Sequence, residues 1–347
     1  MISELDSQFT ALNKFIKEAE PSKIFILVDE NTHEYCLPKV LPNLETEVPF
    51  EILEIEPGEE MKTIETAVQL WEILAEYEAD RNSLLINIGG GVITDLGGFV
   101  ASTYKRGIKF IHIPTSLLGM CDASIGGKTG IDHHFLKNII GTFSQPEEIF
   151  LFPDFLQTLS FEELRSGFAE MLKHGLVADK KHWADLIKIK EISFETIAPL
   201  IKKSMEIKNN IVEVDFQEKN IRKTLNFGHT IGHALESLFL KKGKTIKHGE
   251  AIAAGMIVEI KISEKMEILT VEEANLSISC INSFFPILDF SAFSNDEIME
   301  LMMNDKKNSE SKINYTLINK IGSALINQFP SQEMIVESLE FYRKIKI

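Results

Sequence analysis

The sequence predicts an α/β domain built on a parallel sheet, followed from about Leu159 by an all-α domain. Three observations carry this expectation. Residues 23–29, KIFILVD, and 84–88, LLINI, are continuous apolar runs, the pattern of strands covered on both faces. Helical patterns separate such runs in the first half, as right-handed β–α–β crossovers require. Beyond residue 159 the hydrophobic period is almost wholly helical.

Taken in order, residues 23–29 form the first clear strand and 51–56 alternate more weakly. Within 60–77, Ile64, Val68, Trp71 and Leu74 recur at three- and four-residue steps and mark an amphipathic helix. Residues 84–88 run directly into Gly89, Gly90 and Gly91, a helix follows from about Thr94, and 108–113, IKFIHI, returns as a strand stopped by Pro114. In the second half Ser160 and Glu163 make a capping-box signature, and Phe161, Leu164, Phe168 and Leu172 follow at helical spacing. Further helices are expected over 196–214, 228–240, 248–269 and 332–345, with Ser294 and Glu297 capping one before Ile298, Leu301 and Met302. Only 313–317, INYTL, looks strand-like there. The sequence has neither an internal repeat nor a low-complexity linker.

The length of 347 residues suits about two domains, and 44% hydrophobic with 25% charged residues is the composition of a globular protein with a sizeable core. The balance of 36 basic against 52 acidic residues, a net charge of -16, disfavours partners such as nucleic acid or anionic membrane. The start, MISELDSQFTALNKF, reads as no signal peptide, and no apolar run reaches the ~20 residues of a membrane span. Cys36, Cys121 and Cys280 are sparse and form no CxxC pair, which points to free thiols in a reducing cytoplasm.

Chemistry concentrates in residues 225–255, LNFGHTIGHALESLFLKKGKTIKHGEAIAAG. Three of the nine histidines, His229, His233 and His248, fall there with Glu236 and Glu250. On a helix His229 and His233 project from one face a turn apart, as metal ligands or as acid–base groups. Thr230 stands where the HExxH pattern needs glutamate, which argues against a metalloprotease.

In the first half, strand, then Gly89 to Asp95, then helix is an arrangement that lets backbone amides and a helix N-terminus approach a phosphate. Tight strand-to-helix packing accounts for such glycines as well. The segment PTSLLGMCDASIGGK brings Thr115, Ser116, Asp122 and Lys128 after the next strand, at the edge where open parallel sheets take ligands. Arg106, Lys128, Lys137, Lys173, Lys208, Arg222, Lys306 and Lys307 could form a pocket for a phosphate or carboxylate if the fold gathers them. Glu170 and Lys173 share a helix face, an arrangement that a surface salt bridge explains equally well.

With these residues in view, the sequence resembles the 3-dehydroquinate synthase family from VDENTH at Val28 to DKK at Asp305. The densest blocks are GGGVITDLGGFVAST, Arg106-Gly107, PTSLL, DASIGGKTG, KNIIGTF, and LNFGHTIGHALE followed by HGEAIAAG. The resemblance implies a Rossmann-like α/β NAD-binding domain over 1–158 and an all-α metal- and substrate-binding domain over 159–347. It implies a divalent metal, zinc first and cobalt second, on Glu170, His229 and His248, and leaves His233 to handle protons against the substrate. NAD contacts are implied at Asp29, Glu59, Lys62, Gly90, Gly91, Val92, Thr94, Asp95, Thr115, Ser116, Lys128, Lys137 and Thr158. Substrate contacts are implied at Arg106, Asp122, Lys128, Asn138, Lys173, Lys208, Arg222, Asn226, His233 and Lys307 of the DKK segment. The implied substrate is an anionic sugar phosphate, 3-deoxy-D-arabino-heptulosonate 7-phosphate, converted to 3-dehydroquinate by transient oxidation, phosphate elimination, reduction and aldol closure. A homodimer is also implied.

Three places depart from the family pattern. Ser116 replaces a second threonine, IDHHFLKN lacks the usual Asn-His and Gly arrangement around Asp132, His133 and His134, and Phe216-Gln217-Glu218 breaks an acidic run near Arg222. Competing readings are another sugar-phosphate cyclase, a metal-dependent polyol dehydrogenase of the same build, and a non-catalytic NAD-binding module. Asn138, Asn226, His233 and the DKK lysines favour dehydroquinate, and the full metal and cation sets argue against a non-catalytic module.

Overall fold

The computed structural model describes residues 1–133, 136–303 and 313–345; His134, Lys306 and Lys307 lie outside them. The chain divides into two compact units, Met1–Ser160 and Phe161–Ile347.

The first unit runs β1 (Ile2–Glu4), α1 (Thr10–Ala19), β2 (Ile24–Asp29), α2 (Glu30–Tyr35), α3 (Leu37–Val40), β3 (Phe50–Ile55), α4 (Ile64–Glu76), β4 (Leu84–Gly89), α5 (Gly91–Thr103), β5 (Lys109–Pro114), β6 (Lys128–His133), β7 (Leu136–Phe143) and β8 (Ile149–Leu151). Six strands form one sheet in the order β1-β8-β5-β4-β2-β3, every pair parallel. The two continuous apolar runs occupy its interior: β4 is buried throughout, and β2 everywhere but Asp29. β3 lies at an edge, so Phe50, Ile52 and Glu54 reach solvent while Leu53 and Ile55 turn inward, which explains its weak alternation. Phe25, Leu27, Leu70, Leu74, Leu85, Ile93 and Leu96 pack α4 and α5 onto the sheet.

Two features of this unit differ from the sequence reading. The helix after the glycines starts at Gly91, three residues before Thr94, because Gly90 already adopts the extended conformation of an N-cap. Lys128 does not continue the sheet edge; it opens an antiparallel hairpin of β6 and β7, in which Gly130 pairs with Gly141.

The second unit runs α6 (Phe161–Ala178), α7 (Lys180–Leu186), α8 (Phe194–Val214), α9 (His229–Lys241), α10 (His248–Lys265), α11 (Val271–Phe284), α12 (Asn295–Met303), β9 (Tyr315–Lys320), β10 (Ser323–Gln328) and α13 (Gln332–Arg343). The predicted strand has a partner the sequence did not announce: β9 and β10 form an antiparallel hairpin. α10 is buried along most of its length and packs against α6, α9, α11 and α13, so it is the central helix of the unit. No helix among the described residues is long and apolar enough to cross a membrane.

Candidate functional site

In the helical unit, three elements bring ligand-type atoms to one point. Glu170 lies mid-way along α6 and is fully buried, His229 is the first residue of α9, and His248 is the first residue of α10. Their ligating atoms all lie within 4.8 Å of one another. Glu170 Oε1 stands 3.6 Å from His229 Nε2 and 3.5 Å from His248 Nε2. The opposite ring nitrogens are engaged: His229 Nδ1 donates to the Phe227 carbonyl at 3.0 Å, and His248 Nδ1 faces Glu236 Oε1 at 3.4 Å. Such outer partners orient each ring and turn Nε2 toward Glu170 as the candidate ligand atom.

The donor set, one carboxylate and two imidazoles, is a three-ligand arrangement that suits a catalytic zinc-like ion with an open position. Its electrostatics suit a cation too. Burial disfavours the His248 imidazolium, yet the Glu236 charge and hydrogen bonds to Glu170 and Glu236 outweigh it and raise His248 to about 10. Lys173 forms a buried ion pair with the second oxygen of Glu170, so the pair read from helical spacing is internal and no surface bridge. His233 is exposed, and its ring centroid stands 5.1 Å from that of His229 and 6.2 Å from that of His248.

Close helix packing holds these positions. The Gly249 N–H donates to Ser166 Oγ at 2.9 Å, and Arg165 Nη2 donates to Glu250 Oε1 at 2.5 Å, so both residues after His248 are tied to the turn of α6 that precedes Glu170. At Gly255 a Cβ would stand 2.0 Å from the Gly228 carbonyl oxygen and 3.0 Å from the Gly232 nitrogen. Gly255→Ala must therefore push α9 and α10 apart. We expect the ~1–3 kcal/mol loss typical of overpacking, read from urea unfolding; an unchanged midpoint would show that this contact yields freely.

Among the predicted substrate residues of this unit, Lys208 on α8 and Arg222 are buried and Asn226 is half-buried. The turn carrying Arg222 is organised by Asp215, whose carboxylate accepts from the N–H groups of Lys219, Asn220 and Arg222. The departure at 216–218 is absorbed locally. Phe216 offers its carbonyl to Arg222 Nη1 at 2.5 Å, and Glu218 Oε1 accepts from Asn226 Nδ2 at 2.7 Å.

In the sheet unit the glycine run serves two purposes. Cβ atoms at Gly89 and Gly97 would collide with Ile93 at 2.4 Å and Asn87 at 2.0 Å, so those two serve packing. At Gly90 and Gly91, at the start of α5, a Cβ would stand 3.1 Å from Ser116 Oγ and 3.3 Å from Ala123 Cβ, tight but short of collision, and both residues lie half-buried at the helix N-terminus. Lys62 is buried, and its ammonium donates to Asp95 Oδ2 at 2.6 Å and Asn138 Oδ1 at 2.5 Å. Burial works against its charge, but Asp95, Glu59 and Asp132 outweigh it and hold Lys62 above the ordinary lysine range. Asp132, left without a role by the sequence, accepts from the Asn138 N–H at 2.7 Å and supports its left-handed backbone, φ 52°. Lys137 pairs with Glu59 at 3.4 Å.

Several predicted cofactor residues have structural duties of their own. Asp29 caps α2 by accepting from Thr32 N–H at 2.7 Å, Thr94 donates back to Gly91 O at 3.1 Å, Ser116 Oγ accepts from Gly119 N–H at 3.0 Å, and Thr158 donates to Phe155 O at 3.2 Å. Thr115 is buried with its N–H on Gly89 O at 3.0 Å, and Val92 is half-buried in the first turn of α5. Arg106 and Lys128 are exposed, and Asp122 lies half-buried in the turn Gly119–Ala123. Sequence reasoning did not assign Arg165, Ser166, Glu236 or Glu259; only Glu236 was signalled, by its place in the histidine-rich stretch.

Residues 52–166 match the family model for 3-dehydroquinate synthase N-terminal, and 167–308 match that for 3-dehydroquinate synthase C-terminal. A 3-dehydroquinate synthase of Parabacteroides distasonis is 43% identical over 335 residues, 96% of this chain and 95% of the relative. Among solved structures, 2-epi-5-epi-valiolone synthase from Streptomyces hygroscopicus, with NAD+ and Zn2+ bound, superposes with a TM-score of 0.89 at 24% identity, over 100% of this chain and 97% of that one. A 2-deoxy-scyllo-inosose synthase complexed with carbaglucose-6-phosphate, NAD+ and Co2+ gives a TM-score of 0.85 at 23% identity, over 99% and 96%. The last two likenesses concern the fold, whereas the matched models and the Parabacteroides relative concern descent: the chain belongs to the 3-dehydroquinate synthase family.

Proposed function

We propose that the protein converts 3-deoxy-D-arabino-heptulosonate 7-phosphate to 3-dehydroquinate and phosphate, as a phosphate-eliminating carbon–oxygen lyase of the shikimate pathway. The observation that carries this reading is the convergence of Glu170, His229 and His248 within 4.8 Å, beside the buried ammonium of Lys173. On this reading the first domain, 1–158, binds NAD and the second, 159–347, binds metal and substrate. The protein is further proposed to act in the cytoplasm as a homodimer.

Glu170 and the two Nε2 atoms would hold a divalent metal, zinc or cobalt, which when bound supplies Lewis-acid polarisation of a substrate oxygen. NAD, when bound, supplies a temporary acceptor for the hydride from the ring carbon whose hydroxyl is oxidised. The N–H groups at Gly90 and Gly91 would receive the cofactor's pyrophosphate, with Lys62 and Asp95 fixing the adjacent wall. Lys208 and Arg222 offer positive charge from buried positions, where attraction for a phosphate or carboxylate is least screened. Arg106, Asp122, Lys128, Asn138, Asn226 and Lys307 complete the proposed substrate set. His233, exposed beside His229, is the residue proposed to move a proton at its ring nitrogen.

The test follows inorganic phosphate and reduced-nicotinamide absorbance together, with catalytic NAD and excess heptulosonate phosphate. Stoichiometric phosphate without net absorbance change is expected, because the same hydride returns. Sustained absorbance growth on a polyol, with no phosphate released, would replace this reading by that of a dehydrogenase.

A further inference from the structure

The side chain that organises the turn carrying His229 comes from a different helix. Glu259, on α10, is fully buried, and its Oε2 accepts from the Gly228 N–H at 2.6 Å. Gly228 is the N-cap of α9, with φ 80° and no side chain to satisfy the helix start. A Cβ there would stand 2.6 Å from Met256 Cγ and 3.1 Å from the Ile252 carbonyl oxygen, so no capping residue can replace the glycine. The Glu259 carboxylate accepts the N-cap's own N–H, the duty that an N3 glutamate performs in a capping box, and does so from another helix. The next residue is His229, and the preceding carbonyl, Phe227 O, accepts from His229 Nδ1. One buried carboxylate thus pins the turn 227–229, whose two flanking peptide groups set the direction of the imidazole.

We infer that Glu259 is a positioning residue for His229: it holds the Phe227 and Gly228 peptides so that Nε2 is presented to Glu170. A fully buried carboxylate carries a desolvation cost that leucine would avoid. Pure packing therefore gives no reason for glutamate at this point of α10, whereas orientation of the His229 turn does. The inference rests on the metal reading of Glu170, His229 and His248.

The experiment measures Zn2+ affinity by competition with a chromophoric chelator, and the ligand-field spectrum of the Co2+ form, for wild type, Glu259→Leu, Glu259→Gln and His229→Ala. Glu259→Leu should bind metal about 10–100-fold more weakly, with an altered Co2+ spectrum, as loss of an orienting partner does. Glu259→Gln keeps an acceptor for the Gly228 N–H and should stay within about threefold of wild type. A folded Glu259→Leu that matches wild type in affinity and spectrum overturns the inference. So does a Glu259→Gln that loses as much as Glu259→Leu, since charge alone would then be at work. Should circular dichroism show Glu259→Leu unfolded, Glu259→Asp withdraws the carboxylate by one methylene, and wild-type affinity there overturns the inference equally. His229→Ala separates the two levels: wild-type affinity in that variant removes the metal reading itself, whereas its loss beside an unaffected Glu259→Leu removes only the role of Glu259.

Discussion

Alanine at Glu170, His229 or His248 should each leave the protein without tightly held metal and lower turnover by about 10³-fold or more, the scale of several kcal/mol of lost Lewis-acid stabilisation. The reason lies in the geometry: each residue supplies one donor atom of the set Glu170, His229 and His248, and its removal leaves that set with two. Glu170→Ala has a second effect. It removes the carboxylate from Lys173, whose side chain is 1% exposed, and leaving a buried ammonium without its partner costs about 3–5 kcal/mol. His233→Ala should behave differently, retaining metal while slowing turnover by the ~10²–10⁴ of a lost acid–base group. Metal content by mass spectrometry, set beside turnover, decides: depletion in His233→Ala with retention in His229→Ala would reverse the assignment.

A second large effect is expected in the sheet unit. Lys62→Met keeps much of the side chain's length and apolar body but deprives Asp95 and Asn138 of the ammonium they share, and Asp95 is itself only 18% exposed. Breaking such a pair from one side should cost about 3–5 kcal/mol in urea unfolding. Adding Asp95→Asn removes the stranded charge and should return part of that loss, so the two changes are not additive. Equal stabilities for wild type and Lys62→Met would show that the pair is held together by nothing more than solvent-screened attraction. Were the double variant no better than Lys62→Met, the cost would belong to lost packing.

How much of this was legible in the sequence depended on range. β2, β4 and α4 announce themselves because burial on both faces, or on one helical stripe, imposes a period on consecutive residues. β1 and β8 have three residues each, too few to show any period, and β10 alternates Ser323, Leu325 and Asn327 with partly exposed neighbours. α11 opens VEEANLS, where polar residues interrupt the apolar stripe, and no expectation covered it. Spacing placed His229 and His233 on one face and their rings do lie together, but spacing cannot pair residues from different helices. Glu170 with His229 and His248, Lys62 with Asn138, and Glu259 with Gly228 are tertiary meetings. The first was expected only through family resemblance. The last left no local trace, because a glutamate within an otherwise helical pattern reads as a solvated face.

The order of the sheet has a consequence for how the first unit comes together. Among the described residues β1 pairs with β8 alone, and Ser3 Oγ donates to Glu148 Oε1 at 2.7 Å across a separation of 145 positions. The four strands β5, β4, β2 and β3 are joined by shorter crossovers and can zip up as the polypeptide emerges, whereas β1 must wait for almost the whole unit to be made. Loop closure grows only logarithmically with length, so the delay is a matter of timing more than of free energy. During synthesis β5 therefore presents an uncovered edge until β8 arrives, and β8 in turn until β1 docks. An unpaired strand edge is where nascent chains stick to one another. The two three-residue strands act as late closures, short enough to offer a neighbouring chain little to pair with while they wait.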